Sequence, residues 1–265
     1  MELTVLGAGP AYTDRRGAAG ACHLVRADGA ALLLDMGQGS FPNVASALEP
    51  SGLTAILVSH LHPDHFIDLV PLRHYLHYEF RPPRRVRVLA PAALADRLDA
   101  LHGHPGFTAA ALDVEALSEG ARQIGPFVVE ARRIVHDGES YAFRVSAPGS
   151  AAAGGGVAAT GGDVAAAGPG LVYSGDCGRA DDLVPLIRPG DTLLCEASFG
   201  AGTVPPGAAH LTAMDAAGAA SAGHAARLLL THIQMGFSRS DALAAAVAVF
   251  SGSTQLVTEG DRFEV

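Results

Sequence analysis

His60, His62, Asp64 and His65 crowd into the segment Ser59-His60-Leu61-His62-Pro63-Asp64-His65, directly after the apolar run Leu53-Thr54-Ala55-Ile56-Leu57-Val58. At an extended strand end, residues two apart point to the same side, so His60 and His62 can aim their imidazoles at one ion. Pro63 cannot continue a ladder but suits a first helical turn, which re-aims Asp64 and His65 toward a second ion beside the first. Imidazole and carboxylate donors together suit zinc or manganese rather than a thiolate-bound structural zinc. A binuclear hydrolytic centre needs a further imidazole for each ion and an oxygen to bridge them. His136, Asp176 and His232 each follow an apolar strand-like run (Phe127–Val135, Leu171–Gly175 and Leu228–Thr231) and are the candidates for those places.

Composition bounds what can hold such a site. The chain has 265 residues, 49% of them hydrophobic, enough for one large domain or two small ones with a substantial core that needs no metal to form. Cys22, Cys177 and Cys195 are far apart and show no CxxC spacing, which excludes a disulfide framework and a zinc ribbon; each is expected to be a small buried thiol. The N-terminus enters a strand-like run at once and no apolar stretch reaches spanning length, so the chain reads as a soluble cytoplasmic protein without a membrane partner. All 18 basic residues are arginine, and the net charge of −9 argues against broad capture of nucleic acid. Arg81, Arg84, Arg85 and Arg87 cluster around Pro82-Pro83, as a phosphate contact or as a solvated loop-to-strand junction.

Short apolar runs predict strands at Leu3–Leu6, His23–Arg26, Ala31–Asp35, Thr54–Val58, Arg85–Leu89, Phe127–Ile134, Tyr141–Val145, Leu171–Ser174, Thr192–Cys195, Ala226–Leu230 and Gln255–Thr258. Helices are expected at Phe66–Tyr78, Ala92–Leu101, Ala180–Ile187, Thr212–Ala222 and Arg239–Phe250. The order suggests two sheets with helices packed outside, and Ala27-Asp28-Gly29 supports a first hairpin. Ile56-Leu57-Val58-Ser59-His60 echoes Leu228-Leu229-Leu230-Thr231-His232, as though two halves face each other across one cleft. Between the hairpin strands Tyr141–Val145 and Leu171–Ser174, residues Ala147 to Gly170 are almost wholly Ala, Gly, Pro and Ser. They read as a long mobile loop without arginines or aromatic stacking surface.

His60-x-His62-x-Asp64-His65, His136, Ser174-Gly175-Asp176, Glu196, His210 and Thr231-His232, in this order, resemble the ribonuclease Z-like group of metallo-β-lactamase-fold hydrolases. The actinobacterial cyclic-nucleotide phosphodiesterases of that group are more similar still. The features are His136-x-x-x-Ser140-Tyr141-x-Phe143-Arg144, Tyr173-Ser174-Gly175-Asp176, Leu194-Cys195-Glu196-Ala197-Ser198, His210-Leu211-Thr212 and the ending Arg262-Phe263-Glu264-Val265. The resemblance implies an α+β fold, a four-layer αββα sandwich forming a single domain over residues 1–265. It also implies two divalent ions, zinc or manganese. His60, His62 and His136 would hold one, Asp64, His65 and His232 the other, and Asp176 would bridge. A water between two such ions loses a proton near neutral pH and becomes an in-line nucleophile for phosphorus. Asp64, His210 and Glu196 would be the catalytic side chains, with His210, oriented by Glu196, assisting the leaving alkoxide.

Two departures from ribonuclease Z weigh against a tRNA substrate: Cys195 stands where a histidine precedes the glutamate in that family, and the Ala/Gly loop lacks basic character. The expected activity is hydrolysis of a small phosphodiester, foremost a 3′,5′-cyclic nucleotide, by a chain with no stable nucleic-acid partner and with room for a homodimer. The alternatives are an RNA 3′-end endonuclease, a lactone or thioester hydrolase of the same fold, and a metal-occupied sensor without turnover. Cys177 is expected to pack, His74 and His77 to lie on a helix face, His102 and His104 on a loop, Gly7-x-Gly9-Pro10 to form a tight turn, and Asp35 to orient a metal-binding imidazole.

Overall fold

The computed structural model describes residues 1–147 and 168–265, so most of the predicted mobile loop lies outside the described residues. The first half carries β1 (Glu2–Gly7), β2 (Cys22–Ala27), β3 (Ala30–Leu34), α1 (Phe41–Ala47), β4 (Ala55–Leu57), α2 (Pro63–Phe66), α3 (Leu69–Tyr78), β5 (Val86–Ala90), α4 (Leu94–His102) and β6 (Leu112–Ala116). The second carries β7 (Gly120–Ile124), β8 (Phe127–Arg133), β9 (Tyr141–Ser146), β10 (Leu171–Tyr173), β11 (Thr192–Glu196), α5 (Ala213–Ala222), β12 (Arg227–Thr231), α6 (Arg239–Val247), β13 (Ser253–Leu256) and β14 (Arg262–Glu264). They form two seven-stranded sheets in the orders β14-β1-β2-β3-β4-β5-β6 and β13-β12-β11-β10-β9-β8-β7. In each sheet an antiparallel hairpin region passes into a parallel region, at β3-β4 and at β10-β11.

Leu32, Leu34 and Leu57 of one sheet meet Phe127, Phe143, Tyr173, Leu194 and Leu229 of the other in a core between the sheets. Their strand neighbours Leu33, Ile56 and Val58 point the opposite way, onto Leu72, Leu76, Leu94 and Leu98 of the helical layer. The second sheet likewise packs Val172, Leu193, Leu228 and Leu230 against the alanines of α5 and α6. Sheets covered on both faces need apolar residues at successive positions, which is why these strands read as continuous runs. The result is a four-layer αββα sandwich. No helix among the described residues is long and apolar enough to cross a membrane.

Asp28 (φ 48°) and Gly29 (φ 76°) make the β2-β3 turn, with the positive angles a two-residue hairpin requires. The predicted helix over 66–78 is instead two: α2 starts on Pro63 with His62 as its N-cap residue, and α3 begins at Leu69. The predicted helix at Ala180–Ile187 is corrected to two 3₁₀ turns, Ala180–Asp182 and Val184–Leu186; Pro185 has no N–H to continue an α-helical ladder. Of the arginine cluster, Arg85 and Arg87 are paired with Asp113 and Glu115 on β6, so these two serve the sheet edge rather than an open phosphate site.

Two local devices fix the edge where the ligands lie. Asp64 and His65 are stitched to the β2 entry by Ala21 N–H to the Asp64 carbonyl (2.9 Å) and to the β3 exit by Met36 N–H to the His65 carbonyl (2.7 Å). A Cβ on Gly37 would stand 1.9 Å from the Asp64 carbonyl oxygen, so only glycine lets these segments meet. At the base of the β9-β10 connection Arg144 makes a buried bidentate pair with Asp191 (2.8 and 2.9 Å). Asp191 also accepts from the N–H groups of Gly170 and Arg188. Arg144→Ala would strand the carboxylate among buried backbone, a loss of about 3–5 kcal/mol. Calorimetry should register a melting temperature lower by on the order of 10 °C; an unchanged value would mean that the pair carries no stability.

Candidate metal centre

His60 and His62 leave the end of β4, His136 follows β8, Asp176 follows β10, and His232 follows β12; the two sheets thus meet their ligand-bearing ends at one edge. Their ligand atoms fall into two groups, each within 4.8 Å: His60, His62, His136 and Asp176, and Asp64, His65, Asp176 and His232. Asp176 belongs to both. Its Oδ2 lies 3.7 Å from His60 Nε2 and 4.0 Å from His136 Nε2, while Oδ1 lies 3.3 Å from His65 Nε2 and 3.5 Å from His232 Nε2. Two donors at about 2.0–2.1 Å from one tetrahedral ion stand roughly 3.3 Å apart, so the spacing fits a divalent cation on either side of the carboxylate.

The hydrogen-bonding pattern favours the same reading. His60 Nε2, His65 Nε2 and Asp176 Oδ1 are buried with no hydrogen-bond partner. The opposite ring nitrogens of His60, His65, His136 and His232 are all occupied. His65 Nδ1 donates to Asp35 Oδ2 (2.7 Å), and His136 Nδ1 donates to the Ala209 carbonyl (2.7 Å). Ser59 Oγ donates to Asp35 and Ser198 Oγ donates to Glu196, which leaves each hydroxyl to accept from His60 Nδ1 (3.1 Å) or His232 Nδ1 (3.0 Å). Such outer bonds fix the tautomer and aim the free nitrogen inward. Asp35, proposed from sequence to orient an imidazole, is the hub: it also accepts from Ser59 N–H (2.6 Å) and the Tyr173 hydroxyl (2.7 Å). Asp35 and His232 both adopt positive φ (59°), a strained backbone held by these bonds.

Charge tells the same story. Burial would push the Asp176 carboxyl up, yet the His232 and His65 imidazoles hold it well below the usual range. Burial opposes a proton on His65, but Asp176 and Asp35 overcome it and raise its pKa well above normal. A cation bound here would replace that proton, so its affinity weakens as pH falls. Burial keeps His60 well below its usual value and therefore neutral, as a ligand must be.

His210 and Glu196 lie beside both groups. His210 Nδ1 is 3.0 Å from Glu196 Oε1 and 3.9 Å from Asp176 Oδ2. Burial disfavours the imidazolium, but the Glu196 hydrogen bond and charge outweigh it and raise the pKa to about 9. The residue precedes the α5 N-cap, Thr212, whose capping box with Asp215 pins the chain there. Glu196, His210 and His232 also approach closely enough to count as a third ligand set.

Residues 33–233 match the family described as the beta-lactamase superfamily domain. The chain belongs to this family. An uncharacterised protein of Mycobacterium leprae is 31% identical over 271 residues, covering 100% of this chain and 89% of that protein. The metallo-β-lactamase-fold protein YhfI of Bacillus subtilis superposes with a TM-score of 0.82 at 21% identity, covering 99% of this chain and 98% of that one. The short form of human tRNase Z gives 0.69 at 22% identity, covering 100% and 99%. As a metallo-β-lactamase-fold hydrolase, the chain carries its His/Asp cluster where the two sheets of the sandwich open.

Other candidates are placed elsewhere. His74 donates Nδ1–H to the Val70 carbonyl within α3, and His102 stacks on Phe107 at 3.9 Å; neither belongs to a ligand set. Cys177 is fully buried, its thiol pushed up to about 12 mainly by burial, and serves the site only through its N–H, which donates to Glu196 Oε1.

The sequence reading missed Arg15 and Arg239. They line a cavity of about 340 Å³ with Thr13, Gln234 and Ser240, and Gln234 is two residues beyond His232. Arg15 Nη2 and Arg239 Nη1 are buried without a partner, and burial and the Arg15 charge lower the Arg239 pKa. Two guanidinium groups with unpartnered donors suit an anion, although Asp14 lines the same cavity. Their separation in sequence gave no signal.

Asp35→Ala should leave the ligands in place but weaken divalent metal binding about 10- to 100-fold in competition with a chromophoric chelator. Wild-type affinity in a folded variant would mean that His65 is aimed without Asp35.

Proposed function

We propose that this chain is a binuclear metal-dependent phosphodiesterase acting on a small phosphodiester, foremost a 3′,5′-cyclic nucleotide. The observation that carries the proposal is His210, an imidazole kept protonated through neutral pH by Glu196 beside both ligand groups. A carbon ester with a stabilised leaving group gains little from such an acid, whereas an alkoxide leaving phosphorus needs one.

In this reading His60, His62, His136 and Asp176 hold one ion and Asp64, His65, His232 and Asp176 the other. Zinc is preferred, with manganese as the alternative. When bound, the pair would supply Lewis acidity toward the phosphoryl oxygens and lower the pKa of water. The remaining work falls to side chains. Glu196 accepts from His210 Nδ1 and so turns Nε2 toward the substrate; that nitrogen gives its proton to the departing O3′. Asp35, Ser59 and Ser198 keep the neighbouring rings from turning. Arg15 and Arg239 offer donors to the substrate's anionic charge.

A second reading, hydrolysis at RNA 3′ ends, is favoured by the likeness of the whole chain to human tRNase Z. The net charge of −9 is poorly suited to a polyanion. Side-by-side assay of a cyclic nucleotide, a tRNA precursor, bis-p-nitrophenyl phosphate and a lactone at defined metal loading separates these activities. His210→Ala should reduce cyclic-nucleotide turnover about 10²- to 10⁴-fold. Metal content should remain near wild type, with a much smaller loss on bis-p-nitrophenyl phosphate, whose leaving oxygen needs little protonation. Equal losses on both substrates would make His210 a phosphate-positioning group, and halved metal content would make it a ligand.

A further inference from the structure

A cavity of about 290 Å³ opens beside the metal centre on the side away from β12, lined by Leu61, His62, Pro91, Ala93, Arg97 and Asp137. Its contact with the centre is His62, whose side chain is 38% exposed while His60, His65 and His136 are buried to 1% or less. A substrate over the ligand groups therefore has room to extend one arm past His62. Leu61, Pro91 and Ala93 give it an apolar part, and His62, Arg97, Asp137 and Glu139 a polar and charged part. Arg97 on α4 donates Nη1–H to the Leu61 carbonyl (2.7 Å), which holds the guanidinium plane in place, and its Nε and Nη2 meet no acceptor among the described residues. Glu139, the other acid in the cavity, is engaged by the Tyr141 hydroxyl (2.7 Å) and Arg133 (3.2 Å). Asp137 is not: its carboxylate is 78% exposed, and Oδ2 lies 3.8 Å from His62 Nε2.

We propose that this cavity binds the nucleoside part of the substrate, with Arg97 reading the base and Asp137 accepting from the ribose 2′-hydroxyl. At about 290 Å³ the space sits at the small end of ligand pockets, of a size for one nucleoside and not for an oligonucleotide. With Nη1 committed to Leu61, the Nε–Nη2 edge of Arg97 presents two parallel donors. Of the purines, guanine matches them, with adjacent acceptors at O6 and N7; adenine offers an acceptor beside a donor. The site therefore prefers guanine nucleotides. The inference rests on the phosphodiesterase reading only for the orientation of the phosphate, and it adds the specificity residues which that reading leaves open.

The test is calorimetric binding of guanosine 5′-monophosphate, its 2′-deoxy analogue, adenosine 5′-monophosphate and inorganic phosphate to the zinc-loaded protein, with cyclic GMP hydrolysis followed in parallel. The wild type should bind the guanine nucleotide at least about tenfold more tightly than the adenine one. Arg97→Ala should abolish that difference and leave inorganic phosphate unchanged. Arg97→Lys, which keeps the charge but loses the fork, should behave like the alanine variant. Asp137→Asn should weaken the ribonucleotide and spare the 2′-deoxy analogue. Equal weakening of phosphate in Arg97→Ala, retained guanine preference in either Arg97 variant, or no preference in the wild type overturns the proposal. If binding follows this pattern while cyclic GMP is not cleaved, the phosphodiesterase reading falls and the nucleoside site stands.

Discussion

A buried carboxylate divided between two sets of imidazoles is the constraint on which the rest of this molecule turns. Asp176 gives one oxygen to the His60 and His136 side and the other to the His65 and His232 side, and all five side chains are buried. Without a cation the arrangement leaves buried ligand atoms unpartnered and raises the His65 pKa well above normal; divalent metal binding would supply the missing partners. The sandwich makes this geometry available because both sheets place the ends of their parallel strands at one edge. Groups from β4 and from β10 and β12 can then converge from opposite layers.

Convergence alone would leave the rings free to turn. The surrounding bonds prevent it, and they form a connected set: Asp35 holds His65, Ser59 and Tyr173, Ser59 holds His60, and Glu196 holds Ser198 and His210 while Ser198 holds His232. Glu196 therefore reaches His232 through one hydroxyl and His210 directly, which couples the placement of the two rings. The positive φ angles at Asp35 and His232 fit this pattern, since strained backbone persists where several bonds over-determine it.

The residues that cluster at the sheet edge were legible in sequence because His60, His136, Asp176 and His232 each come just after an apolar strand and Asp64 and His65 follow within the same short motif. The echo between Ser59-His60 and Thr231-His232 also has a structural counterpart: each follows a parallel strand, β4 and β12. The antiparallel pairing of Tyr141–Val145 with Leu171–Ser174 was equally plain. Other elements lacked such signals. The strands β6 and β7 are short, largely exposed and polar, and α1 has only Val44 buried, so none shows the periodicity that marks a covered element. Arg15, Arg97 and Arg239 are ordinary surface residues in sequence. Only the fold reveals that Arg15 and Arg239 carry buried donors without partners among the described residues and line one cavity, and that Arg97 lines another together with His62.

The most direct test is elemental analysis of the protein reconstituted with excess zinc and freed of loosely bound ion. Wild type should approach two equivalents per chain, and simultaneous replacement of Asp64, His65 and His232 should reduce this to one. Saturation of the wild type at a single equivalent, with binding unchanged in the triple variant, would contradict a centre built around a shared Asp176.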